Sequence, residues 1–83
     1  MTVGTAPTWT ESEGSLSRVF QFADFVEAFG FVTQVALLAQ RHDHHPDITI
    51  SWSTVTIVST SHDAKGTVTD RDRKLTEAID KLV

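Results

Sequence analysis

Gln40-Arg41-His42-Asp43-His44-His45-Pro46-Asp47-Ile48-Thr49-Ile50 is the stretch where one periodicity stops and another begins. Upstream of it, apolar residues recur at helical spacing. Downstream, Ile48, Ile50 and Trp52 alternate with Thr49 and Ser51, as on a half-buried strand. A proline drives the residue before it out of helical geometry, so Pro46 forces the change at this point. The stretch also holds three of the four histidines of the chain, His42, His44 and His45.

Working towards the N-terminus, the predicted helix runs from about Ala23 to Arg41. Asp24 and Glu27 lie near its positive N-terminal end. Phe22, Phe25, Val26, Phe29, Val32, Ala36 and Ala39 form its main apolar stripe, with Phe31, Val35 and Leu38 largely off it. Such a helix has either a second buried contact or one wide core face. Before it, Thr8 to Ser12 and Leu16 to Phe22 read as a hairpin turning at Glu13-Gly14. Leu16, Phe20 and Phe22 share one face, on which Arg18 is the exception. Residues 1–7 read as a flexible leader.

Working towards the C-terminus, β-branched residues dominate a second hairpin with an expected turn near Ser53-Thr54. The polar run Ser59 to Gly66, containing His62, follows. Thr69 is then a good N-cap, with Asp72 in the reciprocal position of a capping box. Leu75, Ala78, Ile79 and Leu82 form the buried stripe of a last helix. The expected fold is α+β, in the order ββαββα: a four-stranded antiparallel sheet with two helices on one face. Residues 8–83 make a single domain.

The chain has 83 residues and no cysteine, so its core is thin and has neither disulfide nor thiolate-metal reinforcement. Self-association is the remaining common way to bury more apolar surface. A formal charge of −4 argues against non-specific attachment to nucleic acid or anionic lipid. No apolar run approaches the roughly 20 residues needed to span a bilayer, and no secretory signal is visible, so a cytoplasmic location is expected.

Histidine is the side chain whose ordinary pKa lies nearest neutrality, so a cluster of it supplies proton transfer or metal binding. His62 follows a hairpin that starts where His44 and His45 end, and the return of that hairpin could bring His44 and His62 to one cavity. Two imidazoles across a pocket serve as proton donor and acceptor. Asp43 and Asp63, each beside a histidine, could orient a ring or bind a polar substrate edge. Two other readings stay open: a metal site, which adjacent His44 and His45 are poorly placed to share, and exposed polar residues that merely end a helix.

His44-His45-Pro46, five residues, Trp52, nine residues, His62, nine residues, Asp72 resembles the signature of the pterin-4a-carbinolamine dehydratase family. Phe22-Ala-Asp-Phe25, Ala28-Phe29-Gly-Phe31, Val35-Ala36, Ser61-His62-Asp63 and the region from Gly66 to Asp72 are similar as well. The likeness covers roughly Trp9 to Leu82.

The resemblance implies dehydration of a 4a-hydroxytetrahydropterin to quinonoid dihydropterin, with no cofactor and no metal. It implies His44, His45 and His62 as the catalytic histidines, His44 and His62 being acid and base. His45 and Asp43 would bind or orient the pterin, and Thr60, Ser61 and Asp63 would line its opposite edge. Trp52 is read as core. The implied partners are the pterin and further copies of the chain, as a homodimer or homotetramer. Gln40 stands where relatives commonly carry an acidic residue, one helical turn before His44. Many relatives also have a helix before the first strand. Those departures favour the alternative of a non-catalytic interaction or assembly module; the retained histidines favour the enzyme.

Overall fold

The computed structural model describes residues 8–61 and 66–83; the leader assigned to residues 1–7 lies outside them. The elements are β1 (Thr10–Ser12), β2 (Ser15–Gln21), α1 (Phe25–His42), β3 (Asp47–Ser51), β4 (Thr54–Ser59) and α2 (Asp70–Asp80). All neighbouring strands are antiparallel, in the order β1-β2-β4-β3, so the expected α+β fold is the one observed.

Alternation along the strands decides which side of the sheet is covered. Leu16 and Phe20 of β2, and Val55, Ile57 and Ser59 of β4, are buried under the helices. Ile48 and Ile50 pair with Ile57 and Val55 and complete the same layer. Phe31 of α1 packs over Phe20 and Phe22, with ring centroids 4.7 and 5.0 Å apart. Leu75 and Ile79 of α2 close the core. Arg18, the polar exception on the inward face of β2, lies over the Phe20 ring and pairs with Asp80 at 2.7 Å. Asp80 also accepts from the Trp9 indole, tying the start of the described chain to the end of α2.

Two expectations are corrected. The face of α1 that meets the sheet is Ala28, Phe31, Val35 and Ala39, supported by Val32 and Leu38. Phe25, Val26 and Phe29, placed on the main stripe, are instead exposed, as is Leu37. Both sides of this helix are apolar, so periodicity alone does not say which one finds Phe20. Trp52 is not core either. The second hairpin turns at Trp52-Ser53, between the paired Ser51 and Thr54, and leaves Trp52 83% exposed with φ at 54°.

The turn between β1 and β2 falls at Glu13-Gly14, as expected. Both residues have positive φ, 52° and 80°, the pattern of a two-residue hairpin turn matched to strand twist. A Cβ on Gly14 would lie 1.9 Å from the Gly66 carbonyl oxygen, so this turn rests directly on the chain leading into α2.

Candidate active site

The end of α1 delivers the first histidine. Asp43 adopts the left-handed conformation (φ 50°, ψ 43°), which Asp tolerates better than most residues. The Asp43 N–H then bonds the Gln40 carbonyl at 3.2 Å, and the His44 N–H bonds the Ala39 carbonyl at 3.1 Å. This pair of bonds is a Schellman motif, which folds the residue after the left-handed one back over the last helical turn. His44 is thereby turned inward over Ala39 and is 6% exposed. Pro46 then commits the chain to β3.

The end of β4 delivers two serines. The buried row of this strand runs Val55, Ile57, Ser59 and continues to Ser61. The row changes from apolar to hydroxylated where it reaches the first turn of α2. Asp72 stands there on the buried face of α2, one helical stripe with Leu75, Thr76 and Ile79.

These elements meet at one carboxylate. Asp72 Oδ1 lies 2.6 Å from His44 Nε2 and accepts from the Ser59 hydroxyl at 2.5 Å. Oδ2 accepts from the Ser61 hydroxyl at 2.7 Å and the Thr69 N–H at 2.9 Å. Burial of Asp72 by itself raises its carboxyl, but the bonds from Ser59, Ser61, His44 and the Thr69 backbone outweigh it. They hold the group well below the usual carboxylate range. The positive end of α2 acts in the same direction. Asp72 is therefore ionised, and an ionised carboxylate only accepts hydrogen bonds. It follows that His44 Nε2 carries a hydrogen and that Nδ1 is the nitrogen left to gain or lose a proton. Because the single Ser61 hydrogen is spent on Asp72, Thr69 Oγ1 donates to Ser61 Oγ across their 2.7 Å contact.

The remaining expected site residues are placed as follows. His45 is exposed, with Nε2 at 3.2 Å from the Gln40 side-chain oxygen. Gln40 thus meets His45, not His44 as the one-turn spacing suggested, because the Schellman motif swings His44 away. Asp43 is exposed on the turn. Thr60 donates to the Gly14 carbonyl at 2.7 Å and so ties the β1–β2 turn to the end of β4. Ser61 is buried in the Asp72 network. His62 and Asp63 lie outside the described residues. Sequence reasoning gave no site role to Asp72 or Ser59. The signals were there: Asp72 is part of the quoted signature and in register with Leu75 and Ile79, and Ser59 is in register with Val55 and Ile57. A separate cleft of about 370 Å3, lined by Phe22, Glu27, Gly30, Phe31, Gln34 and Leu82, lies along the N-terminal half of α1.

A small α+β domain with a buried histidine–carboxylate pair, held where two helix termini meet a strand end, defines the class. The profile of the family described as Pterin 4 alpha carbinolamine dehydratase matches residues 2–82. The chain belongs to that family. It is 51% identical over 76 residues to a Prochlorococcus marinus (strain MIT 9313) protein named "Putative pterin-4-alpha-carbinolamine dehydratase", covering 92% of this chain and 78% of the other. A Rhodopseudomonas palustris (strain BisB18) protein of the same name is 47% identical over 78 residues, with 92% and 76% covered. Among solved structures, a transcriptional coactivator/pterin dehydratase from Brucella melitensis superposes with a TM-score of 0.83 at 31% identity, over 90% of this chain and 81% of that one. A pterin dehydratase-like protein described as a RuBisCO assembly factor in the alpha-carboxysome shares the fold, with a TM-score of 0.72 at 19% identity, over 89% and 84%.

Proposed function

We propose that the chain dehydrates a 4a-hydroxytetrahydropterin to the quinonoid dihydropterin, with His44 exchanging a proton at Nδ1 while Asp72 holds Nε2. The observation that carries this reading is the buried His44–Asp72 pair. All four hydrogen bonds to the carboxylate are charge-assisted, so the imidazole is fixed in tautomer and orientation before substrate arrives. The reaction asks for such a group. The C–O bond of the carbinolamine breaks as an acid protonates the departing oxygen, which leaves as water. The neighbouring ring nitrogen loses its proton to a base, and its electron pair becomes the new C=N bond. One proton is given and one is taken.

His62 is proposed as the second proton-exchanging residue. It follows Ser61 directly in the chain, and Ser61 is hydrogen-bonded to Asp72. His45 and Asp43, both exposed beside His44, are proposed to meet the pterin, with Thr60, Ser61 and Asp63 on its other edge. We place the protein in the cytoplasm as a homodimer or homotetramer. The exposed Phe25, Val26, Phe29 and Leu37 along α1 support assembly, since a free helix would not gain from carrying them.

Stopped-flow decay of 4a-hydroxytetrahydropterin absorbance, with and without protein, tests the reading. Acceleration that is lost in His44→Ala and His62→Ala is the expected result; no acceleration by the folded native protein at any concentration would refute it. That second outcome would favour a non-catalytic binding module. The observation in favour of such a module is Gln40, an uncharged partner for His45 where a carboxylate could have relayed a proton.

A further inference from the structure

We propose that Ser59 is a positioning residue for His44, acting through Asp72: its hydroxyl and the His44 ring share one carboxylate oxygen, and that sharing sets how firmly the ring keeps its proton. This rests on the proposed reaction for its functional meaning, but its first readout involves no pterin.

Ser59 is fully buried on the inward row of β4, where Val55 and Ile57 precede it in the core. A hydroxyl at such a position is unfavourable unless it is bonded, and its bond is to Asp72 Oδ1 at 2.5 Å. The same oxygen faces His44 Nε2 at 2.6 Å. Oδ2 takes Ser61 and the Thr69 N–H, so each carboxylate oxygen has two donors. Two donors on one oxygen divide its charge, so the Ser59 bond tempers the pull of Asp72 on the His44 ring. Without that bond, Oδ1 turns wholly to His44 and favours the doubly protonated ring. Ser59 thus loosens the hold of Asp72 on the His44 ring.

Among the described residues, the charged group of α2 that bonds His44 is Asp72, and from β4 and its extension the neutral Ser59 and Ser61 join the same carboxylate. On the histidine's own stretch Asp43 is exposed, Arg41 and His42 lie in the last turn of α1, and His45 is bonded to Gln40.

The test compares Ser59→Thr, which keeps the hydroxyl, with Ser59→Val of nearly the same size and with Ser59→Ala. Ring-nitrogen NMR of His44 in the native protein and Ser59→Thr should give the same titration. In Ser59→Val and Ser59→Ala the midpoint should rise by about half a pH unit, or ~3-fold in proton affinity. The low-pH limb of kcat for dehydration should move with it while KM stays unchanged. An unchanged His44 titration in Ser59→Ala, or a Ser59→Thr titration displaced as far as that of Ser59→Val, would overturn the proposal. Should the variants fail to fold, the native protein decides: the Ser59 hydroxyl proton should exchange slowly and show through-space contact with the His44 Nε2 hydrogen, and its absence would also overturn the proposal. Failure of the native protein to dehydrate the pterin, with these NMR results as expected, refutes the reaction and leaves the Ser59 assignment standing.

Discussion

At Asp72 one side chain both starts a helix and holds a histidine. Its Oδ2 satisfies the Thr69 N–H at the N-terminus of α2, and its Oδ1 faces His44. Because the folded protein holds this carboxyl below its ordinary value, its contribution to stability is complete above pH ~4 and is lost as pH falls through and below that range. Urea unfolding between pH 7 and 2.5 should show this loss. Asp72→Asn should unfold at lower urea at pH 7, by ~3 kcal/mol, because an amide cannot accept from four donors. Its stability should then lack the acid-dependent component; an equal acid loss in the variant would refute the assignment. Asp43 offers a second separation. Glycine suits its left-handed backbone, so Asp43→Gly should keep the helix end and the His44–Asp72 pair, leaving thermal stability within about 0.5 kcal/mol. If Asp43 meets the pterin, KM for the substrate should rise ~10-fold in that variant, and an unchanged KM would remove Asp43 from the binding edge.

Among the elements, the two hairpin turns show opposite relations between residue and backbone. Glu13-Gly14 puts glycine where φ is 80° and where a Cβ would collide with the Gly66 carbonyl. Gly14→Ala should therefore cost at least ~2 kcal/mol in denaturant unfolding, and a cost under 0.5 kcal/mol would show that the turn does not rest on that carbonyl. Trp52, by contrast, holds φ of 54° with a bulky side chain in solvent. Trp52→Gly should stabilise the isolated fold by ~1 kcal/mol, measured at concentrations low enough to keep chains apart. A loss of stability there would mean that the indole packs on something in the folded chain. The other elements follow from their sequences more directly. Strand alternation fixes Ile48, Ile50, Val55 and Ile57 on one face, and Pro46 fixes where α1 must stop.

At the scale of the whole molecule, the sheet and α2 cover only one side of α1. Phe25 and Phe29 stack on each other with centroids 6.0 Å apart, exposed together with Val26 and Leu37. If copies of the chain assemble on this face, Phe29→Glu should convert the oligomer to monomers in sedimentation equilibrium, with the far-ultraviolet circular dichroism unchanged. An assembly that survives the charge would put the contact elsewhere. The His44–Asp72 network is at the opposite end of this helix, so its internal geometry should persist in the monomer.

The sequence by itself determined the element order, the strand faces, the stop at Pro46 and the histidines worth following, because period-two alternation, proline geometry and glycine turns act over a few residues. Only the tertiary structure decided which side of α1 is core, since two apolar faces look alike until Phe20 and Phe22 choose between them. It alone turned His44 away from Gln40 and onto Asp72, and brought Ser59 to the same oxygen. That convergence joins positions 44, 59 and 72 through space, where no local spacing rule can reach.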